Sequence, residues 1–357
     1  MMRSAAFLLD DWLLKCRGAR IDLDHSGMPS PYSEGFDPQI DDADLDGLEL
    51  EEQLKALLAK QYGAKRSNVA LATGAQHANF LFFGACFCRE DRVAVESPTY
   101  SPLVSAAEVF TREVLPMERE KDAGFDIGRL GLAFDAGAKG LAMTNLHNPS
   151  GRQLGDREVK AIVELAQERG ALVLSDEIFR EMSYSKPSRP AASFEDNAVS
   201  TCGMTKFWGL GEVRVGWLVG SEEVVDKVNL LRIYSNHRVP ARSAAITIEA
   251  LKRKDWFRER VLRLAQGNLR ILDEWAKKEK RLSFRRPDGG LLVLMRLPKG
   301  MDDEEFAIRL FKRYKTAVCP GRYFLAEGCI RVTFSCGNEA FAEGLEQISA
   351  VMDQMTS

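Results

Sequence analysis

Lys206 and Arg214 stand eight residues apart in a segment punctuated by glycines, residues 203–217, which reads GMTKFWGLGEVRVGW. Met204 and Phe207 place apolar side chains near the lysine, so desolvation and the nearby arginine are expected to lower the pKa of its amine. A neutral amine attacks carbonyl groups and removes protons. Most lysines are solvated surface groups, but the glycines favour a functional loop. The segment therefore predicts a lysine that forms a Schiff base and acts as a general base.

Four more groups of chemically useful residues stand directly after predicted strands. They read Thr73-Gly74-Ala75-Gln76, Ser97-Pro98-Thr99-Tyr100, Asn148-Pro149-Ser150-Gly151 and Asp176-Glu177. In an open α/β sheet, ligands bind at the carboxyl ends of the strands. These groups and the loop around Lys206 are therefore predicted to meet at one edge of a sheet.

A phosphate-binding role is predicted for Gly74-Ala75-Gln76, because the free backbone N–H groups and the dipole of a starting helix attract anions. A simple glycine turn is the alternative. Arg214 is predicted to grip the same phosphate through two hydrogen bonds, with help from the Thr205 hydroxyl. Tyr100 could stack its ring on a pyridine, although a core or surface tyrosine would look the same in sequence.

Asp176 follows an apolar run, where an unpaired carboxylate is costly to bury. A protonated pyridine nitrogen would pair with it, and a helix cap is the alternative. Asn148 could donate to a phenolic oxygen of the same ring, although most Asn-Pro pairs are only turns. The amine, phosphate cradle, stacking ring, donor and carboxylate together fit pyridoxal 5'-phosphate (PLP). No metal site is predicted, since Cys86 and Cys88 are too close together for a zinc knuckle.

Arg331 lies in the strand-like run Cys-Ile-Arg-Val-Thr-Phe, where apolar neighbours make an unpaired arginine costly. The α-carboxylate of a substrate would pair with this guanidinium group. An internal acidic residue would do so equally well. The sequence leaves both interpretations open.

The fold is predicted from an alternation of helix-period segments and short apolar runs between about residues 50 and 220, which is typical of an α/β protein with a mostly parallel sheet. The predicted strands of this part are Val69–Leu71, Arg92–Val95, Gly140–Thr144, Ala171–Ser175, Val199–Cys202 and Val215–Val219. The later elements are helices over 221–235, 256–277, 303–314 and 338–354, and strands at Leu282–Phe284, Leu291–Met295 and Ile330–Phe334. We predict a large PLP-binding domain over 40–245 and a smaller α+β domain formed by 1–39 and 246–357.

Composition narrows the partners and the compartment. The 357 residues carry a formal net charge of -3, which indicates neither nucleic acid nor an anionic membrane as a partner. Seven cysteines without a framework spacing favour reduced thiols in the cytoplasm. No window approaches the roughly 20 apolar residues of a membrane helix. The segment Phe7–Lys15 predicts an amphipathic helix instead.

These residues, in this order, resemble the class I/II aminotransferases of PLP fold type I, from about Gly27 to Gly337. The resemblance implies that Lys206 forms the Schiff base, that Asp176 pairs with the pyridine nitrogen and that Tyr100 stacks on the ring. The other implied contacts are of Gly74, Ala75, Gln76, Thr205 and Arg214 with the phosphate, of Asn148 with the ring hydroxyl, and of Arg331, Asn148 and the backbone near Gly27 with the substrate. The implied reaction moves an amino group between an L-amino acid and a 2-oxo acid.

The resemblance also implies a homodimer with active sites at the subunit interface, reached by Tyr234-Ser235-Asn236. Two positions depart from the family pattern. Phe179 stands where the family usually has a tyrosine that bonds the ring oxygen, and residues 35–47 lack the tyrosine that often reaches the partner's phosphate, the nearest being Tyr32. These departures keep open a PLP-dependent lyase or cyclising synthase of specialised amino-acid metabolism on the same fold. A non-enzymatic scaffold is a third hypothesis, disfavoured by the presence of Lys206 and Asp176.

Overall fold

The computed structural model of the protein describes residues 8–41 and 45–356. The helices are α1 (Leu8–Lys15), α2 (Gly47–Tyr62), α3 (Ala75–Cys86), α4 (Ser101–Phe110), α5 (Ile127–Asp135), α6 (Asp156–Glu168), α7 (Glu222–Ile233), α8 (Ala241–Lys252), α9 (Lys254–Lys278), α10 (Asp303–Tyr314) and α11 (Asn338–Thr356). The strands are β1 (Ile21–Asp22), β2 (Val69–Ala72), β3 (Arg92–Ser97), β4 (Glu113–Glu118), β5 (Ala138–Thr144), β6 (Leu172–Asp176), β7 (Ala198–Gly203), β8 (Gly216–Val219), β9 (Leu292–Arg296), β10 (Thr316–Ala317), β11 (Cys319–Pro320) and β12 (Cys329–Thr333).

A seven-stranded sheet in the order β2-β8-β7-β6-β5-β3-β4 forms the centre of the molecule. The pairs from β4 through β3, β5 and β6 to β7 are parallel. Only β8 runs against its neighbours β7 and β2, so the other six strands share one direction. The predicted mostly parallel α/β sheet is confirmed.

Helices cover both faces of this sheet because successive residues of its strands point to opposite sides. In β5, Ala142 packs in the cluster that contains Phe82 of α3, whereas Leu141 and Met143 pack with Val163 of α6 on the other face. The buried residues of α6 are Val159, Ile162, Val163 and Ala166, at the helical spacing read from the sequence. Because both faces are covered, a ligand is expected at the carboxyl ends of the strands.

A second, antiparallel sheet of β11, β12 and β9 lies in the C-terminal part of the chain. The strand β1 pairs in parallel with β10, and Ile21 lies opposite Thr316. The N-terminal segment therefore packs with the C-terminal region, as expected. The domain limits at residues 40 and 245 stay a prediction.

The helix α1 confirms the amphipathic helix expected near the N-terminus, although Phe7 lies outside the described residues. Leu9 and Trp12 of this helix are buried, and the Trp12 indole N–H donates to the carbonyl oxygen of Val318 at 3.0 Å. Across residues 8–41 and 45–356, no helix combines the length and apolar character needed to cross a membrane.

Several elements differ from the sequence-based expectation, which lacks the helix α8 and the short strands β1, β10 and β11. The strand predicted at Leu282–Phe284 is wrong, because only Ser283 forms an isolated bridge, with Arg296. The strand β4 was not predicted at all. It lies at the edge of the large sheet, carries Pro116 and is largely exposed, so its sequence lacks the apolar run that marks a buried strand.

Candidate active site

The predicted site residues converge on one edge of the large sheet. Tyr100, Asn148 and Asp176 follow or end β3, β5 and β6, which all run in the same direction, and the segment beginning at Gly74 follows β2. The loop with Lys206 and Arg214 joins the end of β7 to the start of the antiparallel β8. Parallel direction alone therefore brings residues from distant parts of the sequence to one place.

The Lys206 amine is buried among the loops at these strand ends. Its Nζ donates to the Ser26 hydroxyl oxygen at 3.1 Å. Burial, followed by the positive charge of Arg331, lowers the pKa of the amine to about 8, while Asp24 and Asp176 act in the opposite direction. The amine is therefore partly neutral near physiological pH. The predicted lowering of its pKa by desolvation is confirmed, whereas the predicted contribution of Arg214 is wrong, because the arginine that acts on the amine is Arg331.

Asp176 is a buried carboxylate at the end of β6. Its oxygens accept from Asn79 Nδ2 at 2.7 Å and from the Ile178 backbone N–H at 3.0 Å, and Thr201 donates in turn to Asn79 Oδ1 at 2.6 Å. Burial raises the pKa of Asp176. Within the described parts of the chain, no cation lies within ion-pair distance of it, so its setting fits the protonated nitrogen of a pyridine ring.

The start of α3 has the features of an anion cradle. Gly74 precedes the helix with φ 105° and provides no side-chain cap, so the first N–H groups of α3 remain available to a ligand. Arg214 leans over this turn: its Nη2 donates to the Thr73 carbonyl oxygen at 3.1 Å and lies 3.0 Å from where a Cβ at Gly74 would stand. A helix N-terminus beside a guanidinium group fits a phosphate. The Thr205 methyl lies near Gly211, and the role of its hydroxyl stays a prediction.

Tyr100 links two sides of this cradle. It directly precedes α4, and its hydroxyl donates to Oε1 of Gln76 at 3.3 Å. Burial raises the pKa of the Tyr100 phenol, so the hydroxyl stays protonated at neutral pH. The ring is held beside the cradle, and stacking on the cofactor stays a prediction.

Arg331 of β12 is buried beside Asn148 and Asp24. Its Nη1 donates to Asn148 Oδ1 at 3.3 Å and its Nη2 to the Asp24 backbone oxygen at 2.8 Å. The internal acid that the sequence left open is present: the Asp24 carboxylate lies 3.6 Å from Nη2. Nε of Arg331 has no hydrogen-bond partner among the described residues, so a donor remains for a substrate carboxylate.

The segment around Gly27 lies against the lysine loop. The Met28 N–H donates to the Lys206 carbonyl oxygen at 2.8 Å, and a Cβ on Gly27 would stand 3.1 Å from the Thr205 carbonyl oxygen. Gly27 thus permits a close approach of two backbones. The structure places it beside Lys206, and Asp24 of the same segment reaches Arg331.

The structure also shows residues that the sequence did not single out. Ser26 contacts the Lys206 amine, and Asn79 contacts Asp176. Asn79 was recognisable in principle as a polar residue on the apolar face of α3, whereas nothing in the sequence marked Ser26.

Phe179 is buried with its ring centre 5.9 Å from Lys206 Nζ, so this substitution for the family tyrosine lies in the site.

The match to known proteins is extensive. The sequence model of the aminotransferase class I and II family matches residues 44–348. This chain belongs to that family. It is a PLP-dependent aminotransferase, and the predictions of the family, the cofactor and the fold type I architecture are confirmed. Amino acids and 2-oxo acids are the substrates of such enzymes.

Relatives and solved structures span nearly the whole aminotransferase chain. Capreomycidine synthase of Streptomyces vinaceus is 26% identical and covers 96% of this chain and 92% of its own. Aspartate aminotransferase of Thermococcus kodakarensis is 26% identical over 76% of this chain and 71% of its own. A PLP-dependent aminotransferase structure from Streptococcus suis has a TM-score of 0.87 at 23% identity, covering 99% of both chains, and this likeness concerns the fold alone.

Proposed function

We propose that this aminotransferase carries its amino-group transfer through a Schiff base at Lys206, with an L-amino acid and a 2-oxo acid as substrates. The observation that carries the proposal is the position of the Lys206 amine, which lies in the loop after β7, beside the end of β6 that presents Asp176. Burial lowers the pKa of this amine to about 8. A neutral amine attacks a carbonyl group and accepts a proton, and an ammonium group does neither.

Each residue of the site has its own role in the proposed reaction. PLP, when bound, supplies an electron-accepting ring that stabilises the negative charge left at the substrate Cα. Lys206 would take the Cα proton on Nζ once the substrate's amino group has released its amine. Asp176 keeps a proton on the pyridine nitrogen by its negative charge, and the start of α3 with Arg214 holds the phosphate. Arg331 binds the substrate α-carboxylate with its free Nε, while Tyr100 covers the ring.

Borohydride reduction tests the lysine assignment, because it converts a Schiff base into a stable secondary amine. Reduction of the PLP-loaded protein should attach the cofactor to the peptide that contains Lys206. The variant Lys206→Ala should bind PLP without covalent attachment and lose about 100- to 10,000-fold in turnover, the range for loss of a general base. Lys139→Ala, an exposed lysine of β5, is the control and should behave as wild type. Attachment to any other lysine would contradict the proposal.

A second reaction has two specific observations in its favour. Phe179 brings no hydroxyl to the place where the family usually has a tyrosine, and a relative that covers 96% of this chain is a synthase. A PLP-dependent lyase or cyclising synthase uses the same removal of the Cα proton. Products separate the two reactions: a 2-oxo acid with pyridoxamine phosphate supports transamination, and ammonia, an eliminated product or a cyclised product without pyridoxamine phosphate supports the second.

We also propose that the protein is a homodimer with active sites at the subunit interface, reached by Tyr234-Ser235-Asn236. Tyr234 is 82% exposed, and the preceding helix α7 presents Leu230 and Ile233 to solvent. Ser235 Oγ lies 3.1 Å from Nε2 of His77, so this segment stands beside the anion cradle. An exposed apolar surface next to a binding site supports an interface between copies of the chain.

We also propose that the protein is cytoplasmic. All seven cysteines are free thiols in the structure. Reduced thiols are typical of the cytoplasm, where disulfides are rare. A fractionation experiment that follows the protein with an antibody would test the location.

A further inference from the structure

We propose that Ser26 is a positioning residue for the Lys206 amine, and that its hydroxyl orients Nζ whenever the amine is free. The inference rests on the proposed function of Lys206 and deepens it by naming the group that holds the amine. Ser26 is 4% exposed, and its Oγ lies 3.1 Å from Nζ. Across the described residues, Ser26 is the hydrogen-bond partner of this amine.

The backbone beside Ser26 is held against the loop that carries Lys206. The Met28 N–H donates to the Lys206 carbonyl oxygen at 2.8 Å, and a Cβ on Gly27 would stand only 3.1 Å from the Thr205 carbonyl oxygen. The two backbones therefore hold a close approach immediately beside Ser26. This contact limits the places that the Ser26 side chain can reach, and Nζ is one of them.

The other side of the same segment is bound to the C-terminal part of the chain. The backbone N–H of Thr333 donates to the Leu23 carbonyl oxygen at 2.7 Å, and Arg331 Nη2 donates to the Asp24 carbonyl oxygen at 2.8 Å. The Ser335 hydroxyl donates to the His25 carbonyl oxygen. A backbone held from two sides keeps the Ser26 side chain beside the amine, which is what a positioning residue requires.

The chemistry of a hydroxyl suits an amine that changes its protonation state. A serine hydroxyl accepts a hydrogen bond from an ammonium group and donates one to a neutral amine. Phe179, with its ring centre 5.9 Å from Nζ, can attract the ammonium form through its ring face but has no hydroxyl to donate to the neutral amine. Ser26 can therefore keep the amine oriented before and after it takes a proton.

Ser26 also affects the charge of the amine. The charged groups that act on Lys206 are Arg331, Asp24 and Asp176, and the imidazole of His25 also faces it. A hydrogen bond to the ammonium form is stronger than one to the neutral amine. Loss of the hydroxyl should therefore favour the neutral amine and move its titration to lower pH.

Chemical labelling of the full-length protein tests this inference without relying on turnover. The protein is freed of PLP and treated briefly with acetic anhydride at pH values from about 6 to 10, and acetylation of Lys206 is measured on its peptide by mass spectrometry. In Ser26→Ala the midpoint should lie about half a pH unit below that of wild type. Ser26→Thr keeps the hydroxyl and should restore the wild-type midpoint.

Ser335→Ala is the matched control, because it removes a hydroxyl that holds the same segment and does not touch the amine. It should keep the wild-type midpoint. After loading with PLP, Ser26→Ala should form pyridoxamine phosphate from an amino donor about fivefold more slowly, the effect of losing one hydrogen bond. If Ser26→Ala does not fold, Ser26→Cys replaces it, since a thiol is a weak acceptor.

An unchanged midpoint in Ser26→Ala would overturn the inference, and so would a midpoint in Ser26→Thr that follows Ser26→Ala. Failure of the proposed function gives a different result. In that case borohydride does not attach PLP to Lys206 of the wild type, while the labelling midpoints still report on the contact between Ser26 and the amine.

Discussion

Asp24 and Arg331 face each other inside the site, and neither is fully satisfied. The Asp24 carboxylate lies 3.6 Å from Arg331 Nη2, and both Asp24 Oδ1 and Arg331 Nε lack hydrogen-bond partners among the described residues. A buried polar atom left without a partner costs about 1–3 kcal/mol. A substrate carboxylate on Arg331 would satisfy one of them, so the site gives up some stability of the free protein for substrate binding.

Asp24 should make the stability of the PLP-free protein depend on pH. Burial raises the pKa of this carboxyl from 3.8 to about 6, so the folded chain keeps a proton that the unfolded chain has released. Stability from this group is therefore present at low pH and lost as pH rises through about 6. Between about pH 4 and pH 7 the free energy of unfolding of wild type should fall by about 2 kcal/mol more than that of Asp24→Asn.

Urea unfolding of the two proteins at both pH values measures this difference. Buried Glu177 titrates in both proteins, since burial also raises its pKa, to about 7, and its contribution therefore cancels. Equal pH dependence in wild type and Asp24→Asn would mean that Asp24 is charged throughout and fully paired with Arg331.

The turn from β2 into α3 is the proposed binding place of the cofactor phosphate. Gly74 has φ 105° and ψ 162°, a conformation that is essentially restricted to glycine. It also stands directly under the Arg214 guanidinium group. The backbone conformation of Gly74 and the position of the Arg214 side chain therefore depend on each other.

Gly74→Ala should weaken PLP binding by at least about tenfold, because the new Cβ strains the turn and displaces Arg214. Equilibrium dialysis with PLP measures the dissociation constant. Gly63→Ala is the matched control: Gly63 directly follows α2 with φ 66° and has open space around its Cβ position. It should lose about 1 kcal/mol of stability and keep its affinity for PLP. Equal affinity of both variants would exclude the cradle.

Element-scale patterns explain what the sequence could predict. Asp176 and the segment after β2 are predictable because buried strands have apolar runs and ligands bind where parallel strands end. The edge strand β4 leaves no such run. Ser26 could not be found, since its contact with Lys206 joins residues 180 positions apart and follows no local pattern. Local patterns place elements, and only packing decides which side chains from separate elements meet.

The N-terminal segment connects two distant parts of the chain. The pairing of β1 with β10 fixes it to the C-terminal region, and the bond from Met28 to Lys206 fixes it to the large sheet. Arg331 and Lys206 are held at a common site partly through this segment, by Asp24 and Ser26. A movement of the C-terminal region relative to the sheet would therefore change both contacts together.

The proposed dimer is tested by a charge placed on its predicted surface. Ile233 at the end of α7 is 53% exposed and precedes Tyr234. Ile233→Glu should therefore have little effect on the stability of one chain, but it buries a charge at the proposed interface. Dimer affinity should fall by about 100-fold, as truncation of an interface hot spot does. Leu132→Glu on α5, 68% exposed, is the control and should stay dimeric. Sedimentation velocity separates a 39.9 kDa monomer from its dimer. A dimer in both variants would place the interface on another surface, and a wild-type monomer would rule out the shared active site.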